Sequence, residues 1–289
     1  MTAHLHGIDH LLIGVADLDT AAATYRKLGF TTTPKGEHVG WGTANFCMMF
    51  PTDYLELIGI VDPSQFTNRL DTFLESGEGL LGIALATSGP NETRRAWQVA
   101  GLATSDVNLL KRRLLDPDGE IELAFKNVII NGEDCAGLRM FAVAAEDAPA
   151  MRRPEWLGHA NGAIGIASVT IAAQAPMELA PTMGKVFGLS RLADTDNTLA
   201  VHTGRGVILV SNAEDLEMLH PEFESCTDRD EPWLAAMTLV VENISATAAY
   251  LDSQGIDYRW ENSDVIGVPP SATHGVMLEF THRRAFALG

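Results

Sequence analysis

A histidine and a glutamate each stand in the middle of an apolar segment near the beginning of the chain. His10 lies within residues 7–13, Gly-Ile-Asp-His-Leu-Leu-Ile, and Glu56 interrupts residues 54–58, Tyr-Leu-Glu-Leu-Ile. A carboxylate buried without a partner is costly, so Glu56 should be paired, bound to a metal or placed at an open face. Imidazole and carboxylate together suit a first-row divalent ion. We therefore predict that His10 and Glu56 form half of a metal site, with Glu56 also a catalytic group.

The parity of the first segment predicts which way His10 points. Side chains of a β-strand alternate between its two faces, so residues 10, 12 and 14 share one face and residues 11, 13 and 15 share the other. Leu11, Ile13 and Val15 form an apolar, mostly branched face that should pack on a helix. His10 is therefore expected on the opposite, concave side.

The elements that position these residues form a repeated cassette of strand, short helix and glycine. In the first copy Asp17 or Asp19 can cap the helix and Gly29 can end it. Tyr25 and Trp97 are 72 positions apart, as are Gly29 and Gly101. Further copies end at Gly188 and Gly255. Four copies that fill the chain indicate a structural repeat rather than chance.

Short β-like runs separate the cassettes, for example residues 40–50 and 54–61, so each unit is predicted as strand, helix and about three strands. The fold class is therefore α+β, with four tandem βαβββ modules. Residues 146–162 contain two prolines and two adjacent arginines and form the predicted linker. We expect an N-terminal domain at 1–148 and a C-terminal domain at 160–289, each with two modules whose concave faces enclose a cleft.

The motifs at residues 7–11 and 54–58 resemble the first- and fourth-strand metal motifs of the vicinal-oxygen-chelate superfamily. Residues 38–45, His-Val-Gly-Trp-Gly-Thr-Ala-Asn, and residues 159–163, His-Ala-Asn-Gly-Ala, resemble its glyoxalase-like branch. The resemblance covers nearly the whole chain and is more specific for the fold than for the reaction. It implies that the four modules pair into two glyoxalase-like domains.

Members of this superfamily include glyoxalase I, methylmalonyl-CoA epimerase, extradiol ring-cleaving dioxygenases and fosfomycin- or bleomycin-resistance proteins. They share a divalent metal that chelates two neighbouring substrate oxygens and stabilises an enolate or related anion, or binds dioxygen when the metal is iron. The resemblance therefore implies a divalent ion, with Zn, Ni, Mn, Co and Fe all open, and a small-molecule substrate with vicinal oxygens.

The chain departs from the superfamily pattern in its other three modules. The first-strand ligand position is occupied by Gly82, Ser168 and Ala236. Extradiol dioxygenases of this length place two histidines and one glutamate in the C-terminal half, whereas this chain retains only Glu279 there. A lyase or isomerase is therefore favoured over an extradiol dioxygenase.

Two ligands alone bind a divalent ion weakly, so a third must come from elsewhere; His38, His159 and Glu279 stay open as candidates. Glu279 is also a second candidate catalytic group. Trp41 could line an apolar pocket or belong to the core, and the residues around His159 could form a turn. The predicted substrate-binding residues are His38, Trp41, Asn45, Tyr54 and His159.

Composition excludes several other classes of protein. The formal net charge of −18 argues against nucleic acid or an anionic membrane as a partner. Three distant cysteines, Cys47, Cys135 and Cys226, favour a reducing cytoplasm over a disulfide framework. The sequence contains no signal-peptide pattern and no run of 18 apolar residues. Dimerisation is not needed to complete the clefts, although a homodimer is common enough to expect.

The sequence therefore predicts a metal-dependent enzyme of the vicinal-oxygen-chelate type: a lyase, an isomerase or a ring-modifying enzyme. Two alternatives use the same cleft. One is a non-catalytic protein that binds and sequesters a small molecule, and the other is a metal-free acid–base enzyme that uses His10 and Glu56.

Overall fold

A computed structural model describes residues 4–116, 119–195, 197–221 and 232–283 of the chain. Cys226, one of the three cysteines noted above, lies outside the described residues. The described residues form sixteen β-strands and eight α-helices. They include no helix that is long and apolar enough to cross a membrane.

The strands of the first half are β1 Leu5–Gly14, β2 Gly36–His38, β3 Thr43–Met49, β4 Tyr54–Ile60, β5 Gly79–Thr87, β6 Asn108–Asp116, β7 Gly119–Ile129 and β8 Met140–Ala145. Those of the second half are β9 Ala163–Ala172, β10 Leu192–Thr195, β11 Thr198–His202, β12 Val207–Ser211, β13 Trp233–Val241, β14 Arg259–Asn262, β15 Val265–Val268 and β16 Met277–Thr281.

The helices are α1 Leu18–Lys27, α2 Leu70–Leu74, α3 Pro90–Val99, α4 Ala148–Met151, α5 Pro154–Leu157, α6 Ala180–Phe187, α7 Ala213–Leu219 and α8 Ile244–Ser253. Four short 3₁₀ turns lie at Gly132–Cys135, Pro176–Leu179, Leu189–Arg191 and Pro270–Ala272.

The strands confirm the predicted α+β fold of four βαβββ modules. In every module the first strand pairs in parallel with the fourth, and the other two continue the sheet antiparallel. The first module has the order β1-β4-β3-β2, and the other three modules repeat this order. The first and fourth strands therefore lie side by side at the centre of each sheet, which places His10 and Glu56 on adjacent strands.

The two halves differ in how their modules join. In the first half β1 pairs with β5, and β2 pairs with β6, so the eight strands close into a barrel. In the second half β9 pairs with β13, but β10 and β14 end opposite edges of an open eight-stranded sheet. The first half therefore encloses its interior, whereas an open pair of half-sheets around a cleft had been expected.

Helix α1 shows why the cassette ends where the sequence indicates. The Asp17 side chain accepts a hydrogen bond from the Thr20 amide at 2.9 Å, which caps the first turn. Arg26 and Lys27 stand in the last turn, where a cation is favourable. Gly29 follows with φ of +94°, a conformation that ends a helix and favours glycine. Asp17 is thus the cap.

One large apolar core joins the two sheets. It contains the outward side chains of β1, such as Leu11 and Ile13, the buried sides of the long helices, and β9 and β16 residues such as Val169 and Phe280. Trp97 donates from its indole nitrogen to the Val186 carbonyl at 3.0 Å, so α3 lies against α6. Because the two halves share this core, the boundaries at 148 and 160 stay a prediction.

The predicted linker is not extended throughout. Helices α4 and α5, each of four residues, occupy it, and proline stands in the first turn of both. Asp147 caps α4 by accepting a hydrogen bond from the Ala150 amide at 3.2 Å. The segment therefore crosses from one sheet to the other by two short turns of helix.

A buried carboxylate also ties the two sheets together. Asp53, between β3 and β4, accepts a hydrogen bond from the Ile166 amide of β9 at 2.9 Å and another from Thr52. Burial raises the pKa of Asp53 from 3.8 to about 6, although the Thr52 and Ile166 hydrogen bonds and the charge of Arg205 oppose the rise. Ionisation of the Asp53 carboxylate at neutral pH therefore lowers the stability of the folded state.

We predict that Asp53→Asn stabilises the protein at pH 7. The folded-state pKa lies above the unfolded one, so the wild type binds more protons when folded and loses stability as pH rises from about 4 to 6. The side-chain oxygen of the Asp53→Asn variant can still accept the hydrogen bond from the Ile166 amide. Because this side chain does not ionise, the variant does not lose stability as the pH rises. Urea unfolding should show a gain of roughly 1–3 kcal/mol at pH 7 that shrinks towards pH 4. A gain that does not vary with pH, or an equal gain in the exposed control Asp257→Asn, would contradict this account.

Candidate functional site

The interior of the barrel contains the two residues that the sequence singled out. Leu12 and Glu56 are register partners on β1 and β4, and His10 pairs with Tyr54. His10 and Glu56 both point inward and are only 3% and 5% exposed. The Nε2 atom of His10 lies 3.3 Å from Oε2 of Glu56. The structure thus brings the predicted imidazole and carboxylate together.

The His10 ring is held on three sides. Its Nδ1 lies 2.8 Å from a carboxylate oxygen of Asp9, the Tyr54 ring stacks on it at 4.3 Å, and Phe141 meets it edge-on at 5.7 Å. Burial alone would lower the pKa of His10, but the hydrogen bonds and charges of Asp9 and Glu56 raise it above 6.5. Tyr54, a predicted substrate contact, therefore positions His10.

His38 and Asn45 complete the surroundings of the carboxylate. The Asn45 amide nitrogen donates to Oε1 of Glu56 at 2.5 Å and lies 3.3 Å from Nε2 of His38. Nε2 of His38 is itself 3.6 Å from the same carboxylate oxygen, and its Nδ1 lies 2.8 Å from the Thr43 hydroxyl. Both predicted substrate contacts thus belong to one hydrogen-bonded cluster, which we call the barrel cluster: His10, His38, Asn45 and Glu56.

The carboxylate of Glu56 and the imidazole of His38 have pKa values that give them different charges at neutral pH. Burial would raise the pKa of Glu56, but the His10 hydrogen bond and the charges of His10, His38 and Arg112 lower it to about 2. Burial, helped by the charges of Arg112 and His10, lowers the pKa of His38 to about 4. At neutral pH the cluster therefore holds an ionised carboxylate beside a neutral imidazole.

Trp41 marks an opening next to the barrel cluster. Its ring lies 5.8 Å from the ring of His38 and meets Phe66 edge-on at 5.0 Å. A cavity of about 240 Å³ is lined by both His38 and Trp41, together with Thr43 and Arg113. Of the barrel cluster, His38 lines this cavity, whereas His10, Asn45 and Glu56 do not.

Sequence reasoning missed Arg112, which reaches the same interior from β6. Its guanidinium is 3% exposed, donates from Nη1 to the Cys47 sulfur at 3.2 Å, and lies over the Phe125 ring at 5.2 Å. Arg112 stands between two other basic residues, Lys111 and Arg113. Strand parity carried a signal, since Arg112 alternates with Lys111 and shares the inward face of Leu114.

His159 lies apart from the barrel cluster. The Thr31 amide donates to its Nδ1 at 3.0 Å, and its Nε2 bonds to the Met49 carbonyl at 3.0 Å. Phe30 and Phe50 pack edge-on against the ring. Both nitrogens are thus engaged by the backbone, so the structure does not bring His159 to Glu56.

Glu279 belongs to a second buried cluster, on the open sheet. His220 bonds through Nδ1 to Oε1 of Glu279, and the Thr238 hydroxyl donates to Oε2 at 2.7 Å. Nε2 of His220 lies 2.8 Å from the Thr170 hydroxyl. Glu279 therefore does not join Glu56, and its predicted catalytic role stays a prediction. His220 was not found from the sequence because it follows α7, outside any strand pattern.

The donors of the barrel cluster fit a divalent ion by type. Two imidazoles and one carboxylate are a common set for first-row ions, and outer partners orient both rings, Asp9 for His10 and Thr43 for His38. The Asn45 amide, however, lies between Glu56 and His38. Within the described ranges, no group of three or more His, Cys, Asp or Glu side chains is arranged to hold an ion.

The family follows from this fold and from the sequence together. Residues 8–187 match the model of the glyoxalase-like domain family. The chain therefore belongs to this family, within the vicinal-oxygen-chelate superfamily. No curated protein matches the sequence.

Solved structures share the fold over the whole chain. A hypothetical protein from Staphylococcus aureus is 11% identical, with a TM-score of 0.67 over 94% of this chain and 98% of that one. A mutant of 4-hydroxymandelate synthase from Streptomyces coelicolor is 10% identical, with a TM-score of 0.63 over 100% and 95%. A fusion of a xylose isomerase-like TIM barrel with 4-hydroxyphenylpyruvate dioxygenase is 12% identical, with a TM-score of 0.60 over 100% and 50%. These likenesses concern the fold.

We predict that His220→Ala destabilises the protein, because among the described residues it leaves the buried Glu279 carboxylate with the Thr238 hydroxyl alone. The loss in unfolding free energy should be about 2–4 kcal/mol by urea denaturation. His220→Asn keeps a donor near the position of Nδ1 and should lose less. Equal losses in both variants, or a loss no larger than in the exposed control His6→Ala, would show that the pairing does not support the open sheet.

Proposed function

We propose that this chain is an enzyme of the vicinal-oxygen-chelate type that acts on a small metabolite inside the N-terminal barrel. The reaction would be a lyase, isomerase or ring-modifying step on a substrate with two neighbouring oxygens. The observation that carries the proposal is the barrel cluster, in which two imidazoles face one ionised carboxylate beside an opening to solvent.

His10 and Glu56 would hold a divalent ion, and His38 is the nearest candidate for a third ligand. With a pKa of about 2, Glu56 is a poor proton acceptor at neutral pH but a dependable anionic ligand. His38 is neutral and so presents a ligand lone pair once Asn45 turns its amide away. A bound ion would polarise the two substrate oxygens as a Lewis acid.

The remaining residues would bind and orient the substrate. His38 and Trp41 line the cavity, so a molecule bound there would meet an aromatic wall and an imidazole of the barrel cluster. Tyr54 and Phe141 hold the His10 ring and restrict the space beside it.

A second candidate function needs no metal, and the position of Asn45 favours it. The Asn45 amide nitrogen already donates to Glu56 and contacts His38, which occupies the space between those two groups. In this alternative His10, whose pKa is raised by Asp9 and Glu56, would donate a proton to the substrate while Glu56 stabilises its charge.

We predict that the purified protein, loaded in turn with Zn, Ni, Mn, Co and Fe(II) and then desalted, retains close to one equivalent of a preferred ion. Elemental analysis and calorimetric titration measure it. His10→Ala and Glu56→Gln should each weaken binding by at least roughly 100-fold, since loss of an outer partner alone costs 10- to 100-fold. His6→Ala, an exposed histidine on the same strand, is the control.

The metal-dependent reading is wrong if no ion is retained under any loading, or if His10→Ala binds as tightly as wild type. In that case turnover that survives a chelator but is lost in His10→Ala supports the acid–base enzyme. A ligand that binds in the barrel without being converted supports the sequestering protein.

A further inference from the structure

Arg112 has an unsatisfied hydrogen-bond donor buried inside the barrel. Its guanidinium is almost completely buried, and its Nε–H has no hydrogen-bond partner among the described residues. Nη1 donates to the sulfur of Cys47, which is a weak acceptor. A buried cation is tolerated when acceptors and a counter-charge surround it, so this arrangement is costly as it stands.

Neither Cys47 nor Glu56 supplies the missing acceptor for the Arg112 guanidinium. Burial raises the pKa of Cys47 to about 11, so its sulfur carries no charge at neutral pH. Both oxygens of Glu56 are engaged by other members of the barrel cluster, one by Asn45 and one by His10. The negative charge of Glu56 is thus shared with its own partners.

A second unsatisfied atom lies close to Arg112. The side-chain oxygen of Asn45 is also buried without a hydrogen-bond partner. Gly36 on β2 separates the two residues: a Cβ there would lie 2.5 Å from that oxygen and 2.9 Å from Cδ of Arg112. Glycine therefore lets an unpaired donor and an unpaired acceptor approach the same stretch of backbone.

Arg112 is the register partner of His38 across β2 and β6, and His38 lines the cavity of about 240 Å³ beside Trp41. The inward Arg112 side chain is therefore one strand away from a residue at the edge of that cavity. The planar guanidinium offers its Nε and Nη2 edge as a fork that matches the two oxygens of a carboxylate.

We propose that Arg112 is the anchor for a carboxylate on the substrate, received on the Nε edge of the guanidinium. The substrate class is then a small carboxylic acid, and Arg112 fixes its position while the barrel cluster faces the rest of the molecule. This inference rests on the proposed function only in taking the barrel interior as the substrate site. Bound carboxylate would supply the acceptors and the charge that Arg112 lacks.

The test measures carboxylate binding without metal and without turnover. Protein stripped of metal by chelation and then desalted is titrated with acetate, propionate and benzoate at constant ionic strength, and with the matching uncharged amides. Thermal unfolding and calorimetry report binding. We expect a saturable rise in Tm with at least one carboxylate and none with its amide.

Arg112→Gln should weaken that binding at least ten-fold. Lys111→Gln removes one positive charge from the same strand but on the exposed side, where Lys111 pairs with Glu122, and should bind like wild type. Arg112→Lys keeps the charge without the fork and should also bind more weakly than wild type. The lysine variant and the wild-type titration decide the matter if the glutamine variant does not fold.

The inference is overturned if no carboxylate gives a saturable shift in wild type, or if an Arg112 variant binds as tightly as wild type. Its failure is separate from failure of the proposed function. If an ion binds at His10 and Glu56 but no carboxylate binds, only the inference about Arg112 is contradicted. If a carboxylate binds but no ion is retained, only the proposal of a metal-dependent reaction is contradicted.

Discussion

A carboxylate enclosed in a barrel must be compensated, and the N-terminal half of the chain is arranged around that requirement. Glu56 is 5% exposed yet ionised, because the hydrogen bond and charge of His10, with His38 and Arg112 nearby, outweigh the effect of burial. Removing any one of these three neighbours would leave more of the Glu56 charge uncompensated in an interior that cannot solvate it. The positions of His10, His38 and Asn45 can therefore be understood as consequences of one buried negative charge.

The fourth module, in the second half of the chain, also buries a carboxylate but pairs it with a histidine from a different element. Glu279 occupies the place in β16 that Glu56 occupies in β4, since both stand two residues after the start of a fourth strand. No histidine stands at the first-strand position there, and His220 enters from the end of α7 instead. Both carboxylates thus have an imidazole partner. Among the described residues, the barrel alone adds a second imidazole and a buried guanidinium, which is why we propose the chemistry for that half.

The sequence predicted the repeat and the convergence of His10 with Glu56 because both depend on local rules. Alternation along β1 decides which side His10 takes, and capping at Asp17 with a glycine stop decides where α1 begins and ends. Closure of the barrel could not be predicted, since it depends on the pairing of the three-residue strand β2 with β6. Arg112 and His220 were missed for the same reason: their burial comes from partners distant in sequence.

The low pKa of Glu56 limits what the barrel cluster can do. A group that releases its proton near pH 2 has too little affinity for protons to serve as an efficient general base at pH 7, so a role as ligand or as fixed negative charge follows. A fixed negative charge alone would repel an anionic substrate. Arg112 provides the opposite charge in the same enclosed space, on the strand that pairs with β2. Arg112 is close enough to Glu56 to help lower its pKa, so the barrel holds charges of both signs at short range. The presence of both charges distinguishes the barrel from the open sheet, where the described cluster around Glu279 pairs its carboxylate with one imidazole and one hydroxyl, and a second hydroxyl contacts the imidazole.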